Sequence, residues 1–235
     1  MVEAKPCLIL VPGLLCTEVL WRAQVAGLGD LADMTVTAEH TRHTDIGAVA
    51  AAILAAAPKR FALAGLSFGG YIALEIMRRA PHWVDRLALL NTTARDDDEG
   101  RRKLRRDYIK QAQIGHFIGL SDSLIRHFIH ADRLADGALV AAIKQMAADV
   151  GRDGFVRQQT AIIGRPDSRP DLPAIDCPTL VLVVRQDALT PVARHEEMQG
   201  AIPNAQLRVI EDCGHLSPME RPDEFNRAMG AWLKY

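Results

Sequence analysis

Apolar positions in the first part of the chain alternate between two rhythms. Leu8-Ile9-Leu10-Val11 is an unbroken apolar run halted by Pro12-Gly13, the pattern of a strand buried on both faces. Met34 to Thr37 reads as a weaker strand. Asp45 to Ala57 carries apolar residues at helical spacing (Ile46, Val49, Ala50, Ile53, Leu54) and ends at Pro58. Phe61 to Ala64 is a second buried strand, closed by Gly65. Tyr71 to Ala80 reads as a helix stopping before Pro81, and Arg86 to Leu90 as the next strand. This alternation predicts an α/β fold, a parallel sheet with helices on both faces.

The pattern changes at about Ala94. From there to Arg169 no strong strand signal appears. Arg101 to Ala112 is a charged helix. Phe117, Leu120, Leu124, Ile125, Phe128 and Ile129 form an apolar stripe at helical spacing, and Ala138 to Val150 is a third amphipathic segment. Residues 94–169 are therefore expected to be a helical insertion of three or four helices in a core made of 1–93 and 170–235. The exit, Arg165 to Pro173, is proline-rich and reads as a linker. The strand rhythm returns at Thr179 to Val184 and at Gln206 to Ile210, and Asp223 to Lys234 is a closing helix.

The 235 residues suit one core carrying an insertion. With 28 basic against 29 acidic residues, the chain lacks the basic excess that nucleic-acid binding requires. Its 49% hydrophobic content disfavours disorder. Cys7, Cys16, Cys177 and Cys213 have no C-x-x-C spacing and suggest neither a zinc site nor a disulfide framework. The first residues read as neither signal peptide nor membrane span. The expectation is a cytoplasmic protein, monomer or homodimer, with no membrane partner. Asn91-Thr92-Thr93 has the form of a glycosylation acceptor and reads as an ordinary loop in that setting.

Gly65-Leu66-Ser67-Phe68-Gly69-Gly70 is the strongest chemical signal. About 0.03 chance matches to G-x-S-x-G are expected from this composition. The motif lies between a predicted strand and a predicted helix, its required setting. A nucleophile on so sharp a turn needs small neighbours two residues away, and the helix N-terminus helps stabilise developing negative charge. A serine hydroxyl needs a base, and the base an orienting carboxylate. Asp187 follows the Thr179–Val184 strand and His215 follows the last strand, giving the chain order Ser, Asp, His at strand C-terminal ends. Oxyanion donors are expected at the backbone N–H groups of Phe68 and of Leu14, in the turn after the first strand.

Val11-Pro-Gly-Leu-Leu15, Gly65-Leu-Ser-Phe-Gly-Gly70, Asp187-Ala-Leu-Thr-Pro191 and Gly214-His-Leu-Ser-Pro-Met-Glu220 together resemble the α/β-hydrolase superfamily, and its small bacterial carboxylesterase-like members most of all. The resemblance spans nearly the whole chain and is loosest over the insertion. It implies a Ser67–His215–Asp187 triad, a helical lid and no cofactor. The chain departs from many relatives in having Pro12 where they have His, and Val184 where they have Gly. Its first strand also begins sooner, which predicts a shortened, mostly parallel sheet of about six strands.

The expected activity is serine-dependent hydrolysis of small-molecule carboxylic esters with small to medium acyl groups. The alternative is a lactonase, C–C bond hydrolase or proton-abstracting synthase using the same triad on an anionic substrate. That alternative needs cations facing the site, and Arg126, Arg133 and Arg157 are the candidates. A non-catalytic binding protein is disfavoured by the presence of all three triad residues. Trp21, Phe117, Phe128 and Ile129 are candidate pocket walls that could equally pack the core. No metal is expected. His127, His130 and Asp132 lack a convincing third ligand, and His40 and His43 read as solvated loop residues. Arg101 to Arg106 read as a locally paired charged face. Cys16 and Cys213 read as small buried thiols, and Arg165, Asp167 and Arg169 as a hinge held by local hydrogen bonds.

Overall fold

The computed structural model describes residues 5–115, 117 and 119–234. In chain order the elements are β1 (Cys7–Val11), α1 (Arg22–Leu28), β2 (Asp33–Val36), α2 (Ile46–Ala56), β3 (Phe61–Leu66), α3 (Phe68–Arg79), β4 (Val84–Leu90), α4 (Glu99–Ile114), α5 (Asp122–Ile125), α6 (Gly137–Ile163), β5 (Thr179–Val184), α7 (Val192–Ala201), β6 (Ala205–Ile210), α8 (Ser217–Glu220) and α9 (Pro222–Lys234). The strands form one six-stranded sheet in the order β2-β1-β3-β4-β5-β6. Every pairing is parallel. The expected strands are all present, and the sheet is wholly parallel.

The central strands are mostly apolar, β4 from Leu87 and β5 from Leu180 onward, because each face meets its own core. Leu8, Leu10, Ala62, Ala64, Leu66, Leu180 and Leu182 point to the side covered by α1 and α9. Ile9, Val11, Phe61, Leu63, Leu87 and Leu89 point to the side covered by α2 and α3. The period-two alternation of side chains sorts a continuous apolar run onto two faces. Edge strands β2 and β6 alternate half-buried with exposed residues, and only Ile210 among them is buried.

Register levels the strand ends. Val11 pairs with Gly65, Leu66 with Leu90, and Leu90 with Leu182. The turns after β1, β3, β4 and β5 therefore leave the sheet at a common height. The strand order reverses between β1 and β3, where such sheets open a crevice at their carboxyl ends.

Three local features differ from the pattern-based reading. The amphipathic segment ending at Val150 continues to Ile163, because Gly151 takes a left-handed φ of 66° and joins two helical halves. The proline-rich exit is ordered rather than a free linker. A 3-10 turn spans Arg169–Ala174, and Arg165 is buried. The Arg165 guanidinium bonds to Asp97 and the Arg95 carbonyl and lies 4.1 Å over the Tyr71 ring. Helices α1 and α7 are not announced by the pattern; each is short and weakly periodic. Among the described residues no helix is long and apolar enough to cross a membrane.

Candidate active site

Ser67 joins β3 to α3 with φ 56° and ψ −113°. A non-glycine residue held there stores strain of about 1–3 kcal/mol, so the surroundings must enforce it. They do so by close packing. A Cβ at Gly65 would meet the Gly69 backbone, one at Gly69 the Val11 and Pro12 carbonyls, and one at Gly70 the Thr92 side chain. The Ser67 N–H donates to the Leu90 carbonyl (2.9 Å), and the Ser67 carbonyl accepts from Thr92 Oγ1 (2.8 Å). Ser67 is the one residue from Phe61 to Met77 that is not buried.

Asp187 leaves the end of β5 into a loop that caps its carboxylate. Oδ1 accepts the N–H groups of Leu189 (2.8 Å) and Thr190 (2.9 Å). Oδ2 accepts from Thr190 Oγ1 (2.6 Å), Asn91 Nδ2 (2.8 Å) and His215 Nδ1 (2.8 Å). Burial opposes ionisation of Asp187. The facing His215 and the hydrogen bonds from His215, Thr190 and Asn91 outweigh it and hold the carboxyl well below the usual carboxylate range. The bond at Nδ1 fixes the His215 tautomer and leaves Nε2 as a proton acceptor. Nε2 is buried and bonds to none of the described residues.

The turn after β1 packs directly on the serine. A Cβ at Gly13 would lie 3.5 Å from Ser67 Cβ. Leu15 sits at φ 58°, and its N–H donates to Gln158 Oε1 (3.1 Å) on α6. Leu14, the expected donor, thus lies between a residue packed on Ser67 and one pinned by Gln158. The Phe68 N–H is the first of α3, where a helix offers no internal acceptor.

The four candidate wall residues separate into two pairs. The Phe128 ring meets the His215 ring edge-on, 6.2 Å between centroids. Ile129 is buried where a Cβ at Gly214 would strike its backbone. The Phe128 carbonyl also accepts the Leu216 N–H (3.1 Å), so this segment roofs the histidine loop. Trp21 is instead fully buried against Phe225, ring centroids 6.0 Å apart. Phe117 stacks on Phe155 at 5.3 Å and borders an open cleft of about 590 Å³ at the Gly151 break in α6. Arg157 borders that cleft, while Arg133 is bound to Asp136 and the Glu220 carbonyl and Arg126 is exposed.

Several site residues escaped the sequence reading. Asn91, read as a loop residue, holds Asp187 and accepts from Ser217 Oγ (2.8 Å). His195 is fully buried behind the pair. Its Nε2 accepts the Thr92 N–H (2.9 Å), so Nδ1 carries the proton toward the Pro191 carbonyl (3.3 Å). Burial pushes His195 down to about 4. Glu220 is also buried, with Oε2 accepting the N–H groups of His130 (2.7 Å) and Gly214 (3.1 Å). The available signal was placement: Asn91-Thr92 directly follows an apolar strand at the same sheet edge.

Other candidates resolve into local structure. His40 is buried rather than solvated; it bonds to the Cys16 carbonyl (2.9 Å), and burial lowers it to about 4. The His130 side chain accepts the Asp132 N–H at a turn. Arg102, Arg105 and Arg106 pair with Asp96, Asp97 and Glu99. Burial pushes the Cys16 thiol up to about 12 and raises Cys213 as well.

A putative carbamate hydrolase from Serratia proteamaculans is 27% identical over 174 residues, 72% of this chain and 64% of that protein. A bifunctional biotin-biosynthesis protein from Cellvibrio japonicus is 25% identical, with 96% of this chain matching 47% of its length. The chain thus spans about half to two thirds of these curated relatives. A thermophilic esterase from Thermogutta terrifontis superposes with TM-score 0.87 at 28% identity, covering 98% of this chain and 90% of that one. An enol-lactonase from Burkholderia xenovorans superposes with TM-score 0.89 at 24% identity, covering 99% and 93%, a likeness of fold. The model of the alpha/beta hydrolase family matches residues 8–228, and the chain belongs to that family.

Proposed function

We propose that this hydrolase is serine-dependent and cleaves carboxylic esters of small to medium acyl groups. The observation that carries this reading is the 2.8 Å Asp187–His215 couple at the sheet edge that also holds Ser67 on its strained turn. Ser67 Oγ attacks the acyl carbonyl and His215 Nε2 takes its proton. Asp187, held as a carboxylate by its donors, orients the imidazole and stabilises its charged form. The Leu14 and Phe68 N–H groups receive the oxyanion. His215 then protonates the leaving alcohol, and water, activated by the same base, releases the acid from the acyl-enzyme. These steps call on no cofactor. Residues 94–169 act as the lid, with Phe128 and Ile129 as its wall over His215. The esterase similarity adds support. The anionic-substrate alternative receives less, because Arg133 is already engaged and Arg126 faces outward.

The test is hydrolysis of p-nitrophenyl esters from acetate to decanoate, with Ser67→Ala in parallel. Turnover that has a chain-length optimum and falls at least about a thousandfold in the variant is expected. Equal turnover by the variant would sink the assignment.

A further inference from the structure

Gln158 is a side chain of α6 that reaches the turn packed on Ser67. It is fully buried, and its Oε1 accepts the Leu15 N–H at 3.1 Å. That bond settles which way the carboxamide faces, since only oxygen can accept. Nε2 is therefore directed away from the Leu15 N–H, and it is buried without a hydrogen-bond partner among the described residues. A buried amide donor left unpaired is costly, so its place in the fold calls for an explanation. His215 Nε2, the proposed proton acceptor, has the same condition. Gln158 Nε2 on α6 and His215 Nε2 on the loop after β6 are thus both buried and unpaired among the described residues.

We propose that Gln158 determines specificity: its Nε2–H donates to an acceptor oxygen on the acyl chain, beside the scissile carbonyl. This deepens the esterase reading and rests on it. The acyl side follows from placement. The leaving alcohol must lie against His215, which protonates it, whereas Gln158 is bonded to the turn after β1, where the carbonyl oxygen is received. The substrate class is then an ester whose acyl group carries an ether, keto or hydroxyl oxygen. A purely apolar acyl group leaves the donor buried and unpaired, which is how a polar site rejects an isostere lacking the polar atom.

The experiment compares p-nitrophenyl methoxyacetate with p-nitrophenyl butanoate, which differ by oxygen for methylene. The ratio of their kcat/KM values is measured for the native enzyme, Gln158→Leu and Gln158→Glu. Intrinsic reactivity of the two esters cancels between enzymes. Gln158→Glu keeps an oxygen for Leu15 while replacing the amide donor with a carboxylate, so it also serves if Gln158→Leu fails to fold. The expected result is a preference for the ether ester that drops about fivefold or more in both variants, the worth of one hydrogen bond. An unchanged ratio, with both substrates slowed equally, would overturn the proposal and leave Gln158 as an anchor of the turn. Ser67→Ala is run on the same pair: if it retains native turnover, the esterase reading fails first and independently.

Discussion

Asn91 Nδ2 and His215 Nδ1 converge on the same oxygen of Asp187, each at 2.8 Å. The carboxylate is thus aimed from the end of β4 as well as from the histidine it serves. Asn91 can do this because it holds φ 44°, a left-handed geometry that asparagine tolerates better than most residues.

Removing that donor should slow the chemistry without removing the nucleophile. Asn91→Ala is expected to lower kcat about ten- to hundredfold with KM little changed, since a hydrogen bond to a charged group contributes about 1.5–3 kcal/mol. The sign with pH also follows. Asp187 titrates below its ordinary range, so its contribution to stability is full above about pH 4 and is lost as pH falls through its folded value. Asn91→Ala should move that acid-side loss to higher pH in urea titrations. Unaltered kcat would show that Thr190 and the loop N–H groups hold Asp187 unaided.

Two of the buried histidines predict a second pH effect. His195 and His40 are each lowered from 6.5 to about 4. The unfolded chain therefore binds protons first, and stability should fall as pH drops from 6.5 toward 4. By pH 5 each histidine should cost about 2 kcal/mol. Comparing unfolding at pH 7.5 and pH 5 for native protein and His195→Asn measures this directly. The variant should lose about 2 kcal/mol less between the two conditions; an identical loss would mean His195 does not titrate there.

Glycine positions give a paired prediction. Gly214→Ala drives a methyl into the Ile129–His130 backbone, which should destabilise the protein by about 1–3 kcal/mol and lower kcat/KM by shifting the His215 loop. Gly200, inside α7, has open space around it. Gly200→Ala should be neutral in activity and stabilising by about 0.5–1 kcal/mol. Thermal melts with activity assays on both variants check the contrast.

The sheet was legible because its central strands carry apolar runs that serve both faces, two of them closed by Pro12 and Gly65. Ser67 and Asp187 could be nominated because each follows such a strand, and His215 because it follows the last strand; all three carry distinctive neighbours. Gln158 could not be. It lies on a helix whose relation to the oxyanion turn depends on tertiary packing across 143 residues. His195 and Glu220 were hidden for a similar reason: a buried polar residue looks like a surface one until its partners are known. His40 was misread on that ground, since nothing local announces a bond to the Cys16 carbonyl. Trp21 stands next to the oxyanion turn in sequence, yet its ring turns to Phe225 on the last helix.

The glycine break in α6 has an engineering consequence. Upstream of Gly151, Leu139, Ile143, Met146 and Ala147 pack into the core beside the α5 segment. Downstream, Gln158 holds Leu15 and Arg157 holds the Thr41 carbonyl (2.8 Å). No neighbouring atom constrains Gly151 itself. It is therefore a natural splice point: the stretch before it can be exchanged between homologues as a unit, while the stretch after it must travel with the turn it clamps.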